Sequence, residues 1–181
     1  EVYKRQIDEN RVLDMEYAPC DKPAYHTSFS PYFMRQIQGR AYVVGRSSRH
    51  GAPRTFAADR IRSLVATPQK FRRQPGLTAD KWFAHSYGAY GGDDLEPERV
   101  VADLLDPDLA AYLRQRPLHP SQTVLPGPGA PDTVCTLSLE VALTRDFIGA
   151  LLACGSRLRV VAPEALRRRM AEEAKALAAL Y

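Results

Sequence analysis

Basic side chains are concentrated between residues 31 and 73, and this is the clearest chemical feature of the sequence. The segment holds ten Lys and Arg residues and one acid, Asp59, so its formal charge is +9. The rest of the 181-residue chain carries 15 basic and 20 acidic side chains, which brings the whole chain to only +4. This asymmetry favours an anionic partner. The ten basic residues are Arg35, Arg40, Arg46, Arg49, Arg54, Arg60, Arg62, Lys70, Arg72 and Arg73.

Aromatic residues are interleaved with these arginines in a β-like pattern. Side chains of a strand alternate between its faces, so Tyr42 and Arg46 would share one face, and Arg54, Phe56 and Arg60 would share another. Guanidinium groups bind phosphates, and exposed aromatic rings accept stacked bases. The alternative is that Tyr42 and Phe56 belong to the core and that the arginines form a solvated surface with Asp59 paired to one of them.

The pattern of residues predicts which elements carry these side chains. Strands are predicted at 11–17, 40–46 and 54–61, with a turn at 47–53 and a further apolar strand piece at 32–34. Residues 19–30 are polar and predicted as a loop. Residues 1–10 resemble the end of a helix, so we expect the chain to be a fragment of a longer protein.

The second half of the chain has a different order of patterns. Strand, helix, strand, strand, helix, strand and a final helix follow one another from residue 98, with Asp106 and Thr144 as predicted N-caps. This is the ferredoxin-like βαββαβ order with an added helix. We therefore predict an α+β chain with three parts: a small antiparallel β domain with a leading helix at 1–74, a linker with a short helix at 75–97, and a ferredoxin-like domain at 98–181.

Several spaced motifs of the basic segment resemble the WYL domain of bacterial transcriptional regulators. They are Pro31-Tyr32, the run from Gly39 to Gly45, Arg54-Thr55-Phe56 and Asp59-Arg60-Ile61. The naming tripeptide departs from the family, because Ala41 replaces the usual Trp and Val43 the usual Leu. Residues 155–163 and the helix that begins at Glu164 are similar to the C-terminal extension commonly attached to WYL domains.

The resemblance implies an Sm/SH3-like barrel within the ligand-sensing region of a transcriptional regulator. Its implied ligand is single-stranded nucleic acid or a nucleotide, and its implied assembly is a homodimer that contacts duplex DNA through a preceding winged helix-turn-helix domain. Arg54 and Arg60 are expected to bind phosphate first. The remaining predicted ligand-binding residues are Arg35, Arg46, Tyr42, Tyr32, His26 and Ser28.

Other functional classes have less support in the sequence. The four histidines lie apart, with no spacing typical of a metal site, and the three cysteines form no recognisable motif. We therefore predict no enzymatic activity, no cofactor and no metal. No apolar run is long enough to span a bilayer, so a cytoplasmic location without membrane contact is expected. Two alternatives stay open: an RNA- or single-stranded-DNA-binding accessory module of a nuclease or helicase system, and a protein-interaction scaffold.

Overall fold

The computed structural model describes residue 5 and residues 7–92, 94–127 and 132–181. The chain divides into two units, one formed by Glu1–Ala84 with Gly88–Asp93 and the other by His85–Tyr87 with Asp94–Tyr181. The stretch predicted as a linker, residues 75–97, is thus shared between the units. A helix end was predicted over residues 1–10. Of these, residue 5 and residues 7–10 are described, and Arg5, Ile7 and Asp8 are helical.

The first unit is built on a five-stranded antiparallel sheet with the order β4-β3-β2-β1-β5. Its elements are β1 (Arg11–Tyr17), β2 (Tyr25–Ile37), β3 (Arg40–Ser47), β4 (Pro53–Ala57), a 3-10 turn (Ala58–Arg60), β5 (Ile61–Lys70) and the short helix α1 (Ala79–Trp82). Among the described residues no ladder joins β4 to β5, so the predicted closed barrel is not observed. The 3-10 turn takes the chain from one edge strand to the other.

The hairpin between β2 and β3 follows directly from local sequence. Ile37 pairs with Arg40 across a two-residue loop. Both loop residues, Gln38 and Gly39, have positive φ angles, of 49° and 79°. A type I′ turn requires positive φ at both central positions, and its twist matches that of the flanking strands. The register of β3, and with it the position of its arginines, is set at this turn.

Strand β3 is buried on both faces. Val43 packs in a core cluster with Leu13, Met15 and Phe29, while Val44 packs on the opposite side against Trp82 and Phe83. Thr78 is the N-cap of the short helix that supplies Trp82, and its side chain accepts a hydrogen bond from the Lys81 amide at 3.3 Å. The first sheet therefore has a covered outer face as well as a core.

Two predictions of secondary structure in this unit, one of a loop and one of a strand, were wrong in extent. Residues 19–30 were predicted as a loop, but β2 already begins at Tyr25, because Tyr25, Thr27 and Phe29 alternate toward the core and pair with β1. Residues 54–61 were predicted as one strand, but the chain turns at Ala58–Arg60 and continues as β5 to Lys70. The polar residues of 19–30 obscured the alternating pattern at the start of β2. The turn at Ala58–Arg60 contains no Gly or Pro that would have marked it in the sequence.

The second unit contains a four-stranded antiparallel sheet with the order β7-β8-β6-β9. Its elements, in the order predicted, are β6 (Glu98–Leu104), α2 (Pro107–Gln115), β7 (Thr123–Pro126), β8 (Cys135–Val141), α3 (Arg145–Ala153), a 3-10 turn (Gly155–Arg157), β9 (Leu158–Ala162) and α4 (Glu164–Ala178). Asp106 and Thr144 are the N-caps of α2 and α3, accepting from the amides of Leu109 and Phe147. Phe147, Leu151 and Leu166 are buried in the core that the helices form with the sheet.

Gly45 offers a direct test of how closely β2 and β3 pack. A Cβ at this position would overlap the Ser30 carbonyl oxygen and lie 2.6 Å from two ring carbons of Phe29. Gly45→Ala should therefore destabilise the first unit by about 1–3 kcal/mol, the usual range for overpacking a core. The fluorescence of Trp82, the single tryptophan, reports on this unit during denaturant unfolding.

Gly149→Ala is the matched control. Gly149 lies in α3 of the second unit, and a Cβ there would meet no atom within 4 Å. This variant should leave the Trp82 transition at its parent position. An unchanged transition in Gly45→Ala would contradict the packing described for β2 and β3.

Candidate anion-binding site

A cavity of about 400 Å³ lies at one end of the first sheet. It is bounded by the end of β1, the loop from β1 to β2, the start of β2, the turn from β3 to β4, and β4 itself. Two stretches of the chain, residues 17–25 and 49–56, thus meet around it. The lining residues are Tyr17, Pro19, Asp21, Lys22, Tyr25, Arg49, His50, Arg54, Thr55 and Phe56.

Aromatic rings form one wall of the cavity. Tyr17 of β1 lies opposite Tyr25 of β2 in the strand register, with their ring centroids 5.9 Å apart. Phe56 of β4 meets Tyr17 edge to face at 5.1 Å. Tyr17 and Phe56 are buried, at 8% and 3% exposure, whereas Tyr25 is half-buried. Tyr25 is therefore the aromatic ring of this wall most available to a ligand.

Three permanent cations face the cavity from three directions. Lys22 comes from the β1–β2 loop, Arg49 from the β3–β4 turn and Arg54 from β4. Within the ranges that the structure describes, none of the three forms an ion pair with a carboxylate. Arg40 and Arg62, in contrast, pair with Asp59 and Glu16. The cavity thus keeps three cations beside a single carboxylate, Asp21, with which none of them forms an ion pair.

Hydrogen bonds fix the turn that carries Arg49 and His50. The Ser47 carbonyl accepts from the amides of His50 and Gly51, at 3.2 and 3.0 Å, and the Arg49 amide donates to the Thr27 hydroxyl at 3.3 Å. The buried Ser47 hydroxyl lies 2.7 Å from Nδ1 of His50. These bonds hold the backbone of the turn and the imidazole of His50 in place before any ligand arrives.

Arg49 and Tyr25 contact each other directly. The Arg49 guanidinium carbon lies 4.2 Å from the centroid of the Tyr25 ring, which is cation–π geometry. Burial raises the pKa of the Tyr25 phenol, and the nearby Arg49 opposes that rise. Tyr25 is therefore a neutral hydrogen-bonding phenol at physiological pH, and one face of its ring is already covered by Arg49.

The charges around the cavity alter the acid–base behaviour of His50. The residue is exposed at the rim, yet loss of water contact on its inner side lowers the pKa of its imidazole below the ordinary 6.5. Arg54, Arg49 and Lys22, in decreasing order, lower that pKa further. His50 is thus neutral at pH 7 in the free protein. Arg54, Arg49 and Lys22 thus all lie close enough to one ring to lower its pKa.

A hydrogen bond connects the cavity wall to the outer face of the sheet. The indole N–H of Trp82 donates to the hydroxyl of Thr55 at 3.0 Å. Thr55 lines the cavity, whereas Trp82 lies in the cluster that covers Val44. The chain continues from Trp82 to residues 85–87, which belong to the second unit, where Tyr87 packs on Phe147 at 5.9 Å.

Family models identify both halves of the chain. The WYL domain model matches residues 2–66, and the WCX domain model matches residues 96–178. The chain belongs to the WYL-domain family. This confirms the resemblance noted in the sequence, and the second unit contains the WCX domain that follows the WYL domain.

Two solved structures are similar to the chain. One, described as proteasome accessory factor B/C (PafBC) of Arthrobacter aurescens, has 15% identity and a TM-score of 0.43, covering 93% of this chain and 25% of that one. The other, described as a CRISPR Cas-related protein, has 14% identity and a TM-score of 0.54, covering 97% and 50%. The chain therefore spans a quarter to a half of these structures, and the second likeness shows the fold alone. No curated protein matches the chain.

The naming tripeptide of the WYL family lies on β3 and not at the cavity. Ala41 is exposed, Tyr42 is half-buried between its partners Arg35 and Ala57, and Val43 is fully buried in the core. Val43 thus has a packing role that suits a β-branched residue. The exposed Ala41 shows that the position of the usual Trp is on the surface in this chain.

Of the eight ligand residues predicted from sequence, Arg54 lines the cavity. Arg60 lies in the 3-10 turn, where its carbonyl accepts from the Ala18 amide at 2.9 Å, so strand parity does not place its side chain beside Arg54. The Arg35 guanidinium lies over the Phe83 ring, 5.0 Å from its centroid. The predicted arginines are therefore distributed over different parts of the sheet.

The other predicted residues are placed as follows. Tyr32 is buried, at 6% exposure, with its ring 5.8 Å from that of Phe71, and burial raises its pKa. Arg46 is exposed on β3. His26 lies opposite Glu16 of β1 in the strand register, and the Ser28 amide donates to the Ser48 hydroxyl at 3.2 Å. None of these residues lines the cavity.

Sequence reasoning missed most of the cavity. Lys22 and Tyr25 fall in the stretch that was predicted as a loop, and Arg49 and His50 fall in the predicted turn. The alternation of Tyr25 with Thr27 and Phe29 is the sequence signal that could have placed Tyr25 in a strand. Arg49 is one of the ten basic residues of the segment 31–73, but whether its side chain reaches the cavity depends on the fold of the turn that carries it.

The described residues show no sign of other common kinds of site. No group of three or more His, Cys, Asp or Glu side chains among them could hold a metal ion. Within the same part of the chain, no helix is both long and apolar enough to cross a membrane. Of the cysteines, Cys135 and Cys154 are buried and Cys20 is exposed.

Arg54→Gln should raise the pKa of His50, because Arg54 is the cation that lowers it most. The change is measured by following the His50 ring resonances in an NMR pH titration. Arg46→Gln is the control, since Arg46 is not among the charges that lower this pKa. A His50 pKa that is unchanged or lower in Arg54→Gln would contradict the geometry of the cavity.

The same shift has a consequence for stability. The pKa of His50 is lower in the folded than in the unfolded chain, so protons bind the unfolded chain more strongly. The shift at His50 therefore leaves the free energy of unfolding unchanged above the ordinary pKa of 6.5. It lowers that free energy as the pH falls below 6.5. The loss is completed as the pH passes through the folded-state pKa.

Proposed function

We propose that this chain is the ligand-sensing region of a bacterial transcriptional regulator, and that its cavity binds an anionic ligand of nucleic-acid or nucleotide type. The observation that carries the proposal is the set of Lys22, Arg49 and Arg54, three cations that face one cavity without an ion-pair partner in the described chain. Unpaired positive charge around a concave site is the usual arrangement for binding phosphate.

The chemistry of the lining suits a nucleotide better than a simple ion. Arginine can donate two parallel hydrogen bonds to phosphate oxygens, and lysine adds a compact charge. Tyr25 and His50 supply ring surface and hydrogen-bonding atoms beside those cations. The neutral state of His50 in the free protein leaves it able to gain a proton when an anion binds.

The regulatory part of the proposal rests on the WYL and WCX domains. Homodimer formation and contact with duplex DNA through a separate DNA-binding domain are proposed along with it. The curled first sheet, in which Tyr17 of β1 meets Phe56 of β4, supports an Sm-like barrel. The strand order β7-β8-β6-β9, with α2 and α3 as the connecting helices, supports a ferredoxin-like second domain.

Binding of internally labelled single-stranded DNA and RNA, measured by fluorescence anisotropy across a salt series, tests the proposal. The logarithm of affinity should fall with the logarithm of salt concentration by about 0.7 for each phosphate contacted. Arg54→Gln should weaken binding roughly tenfold or more, because a hydrogen bond to a charged group contributes about 1.5–3 kcal/mol.

Arg35→Gln is the matched control for charge. It removes one arginine from the same domain, but that guanidinium lies over Phe83 and not at the cavity. Its affinity should stay close to that of the parent. Equal losses in both variants would assign binding to the general basic surface, and no binding of any oligonucleotide at low salt would overturn the proposal.

A further inference from the structure

The size of the cavity limits how much of a nucleic acid it can hold. Its volume of about 400 Å³ is at the lower end of the range of roughly 300–1,000 Å³ that is typical of small-molecule sites. A space of this size accommodates a single nucleotide. A run of several stacked nucleotides would instead need an extended groove of the kind found in proteins that bind single strands.

The charge of the lining indicates which phosphate would be preferred. Lys22, Arg49 and Arg54 face the cavity with one carboxylate, Asp21, which leaves a net charge of +2. A phosphodiester inside a strand carries one negative charge, whereas a phosphomonoester carries about 1.5 to 2 at neutral pH. The lining therefore matches the charge of a terminal phosphate or of a mononucleotide more closely than that of an internal phosphate.

The aromatic wall offers limited ring surface for stacking and recognition of a nucleic-acid base. Tyr17 and Phe56 are buried against each other, and Arg49 covers one face of Tyr25. Base stacking in the cavity is thus restricted to the remaining surface of Tyr25 and to the His50 ring, 6.3 Å from it. Recognition would depend mainly on the phosphate and little on the identity of the base.

We infer that the cavity recognises a phosphomonoester, either the phosphorylated end of a single-stranded nucleic acid or a mononucleotide, with Lys22, Arg49 and Arg54 holding the dianion. This inference rests on the proposed function and specifies the ligand of the same site. The bond from the Arg49 amide to Thr27 fixes the backbone at Arg49, and the Tyr25 ring supports its guanidinium. Hydrogen-bond donors that are already held in place lose little conformational entropy when a ligand binds.

Isothermal titration calorimetry with four unlabelled probes tests the inference. The probes are pentathymidylate with a 5′-phosphate, with a 3′-phosphate or with hydroxyls at both ends, and thymidine 5′-monophosphate. At least one of the three phosphorylated probes should bind about tenfold or more tightly than the hydroxyl-ended oligonucleotide, because its terminal phosphate adds charge and charge-assisted hydrogen bonds. The 5′ and 3′ probes distinguish the two ends, and the monophosphate distinguishes a free nucleotide from a strand end.

Two variants and one control assign the effect to the cavity. Arg54→Gln and Lys22→Gln should each reduce the affinity for the phosphorylated probe toward that for the hydroxyl-ended probe. Both side chains are exposed, so folding of the variants should be preserved. Arg35→Gln should keep the full preference.

The possible failures are distinguishable. Equal affinity for all three oligonucleotides, weakened by Arg54→Gln, would overturn end recognition and leave the proposed function in place. A preference for the phosphorylated probe that survives in both cavity variants would place the phosphate elsewhere and overturn the inference. No heat from any of the four probes would contradict the proposed function as well.

Discussion

The contact between Tyr17 and Phe56 is the constraint on which the candidate site depends. It brings together β1 and β4, which are separated in the sheet by β2 and β3. The rings meet edge to face at 5.1 Å, and the Tyr17 hydroxyl accepts a hydrogen bond from the Ala57 amide at 3.4 Å. Edge-to-face packing of aromatic rings adds about 0.5–1.5 kcal/mol to the gain from burial. The sheet curls at this contact, and the cavity opens beside it.

The like charges around the cavity lower the stability of the free protein. Three cations lie around one imidazole with a single carboxylate, Asp21, among the lining residues, and like charges held close together oppose folding. The cation–π contact of Arg49 with Tyr25 offsets part of this cost. A bound dianion would remove most of the remainder. Ligand binding and stabilisation of the first unit are therefore expected to be coupled.

Local sequence predicted the elements whose ends are set by nearby residues, and missed those set by distant pairing. Helix α2 begins directly after its predicted N-cap because the Asp106 side chain caps it and Pro107 suits its first position. The start of β2 at Tyr25 depends on its ladder with β1, which polar residues nearby obscured. Arg54 could be selected from charge and pattern alone. Lys22, Arg49 and His50 could not, because their convergence depends on the fold of a loop and a turn.

Chemical-shift mapping by NMR with isotopically labelled protein and a phosphorylated pentathymidylate is the most direct measurement of where the anion binds. If the cavity is the site, the largest changes fall on the amides of residues 17–25 and 47–57 and on the Trp82 indole N–H, whose acceptor Thr55 lines the cavity. Changes concentrated around Arg35 or within the second unit, with the amides of the cavity unperturbed, would contradict the account.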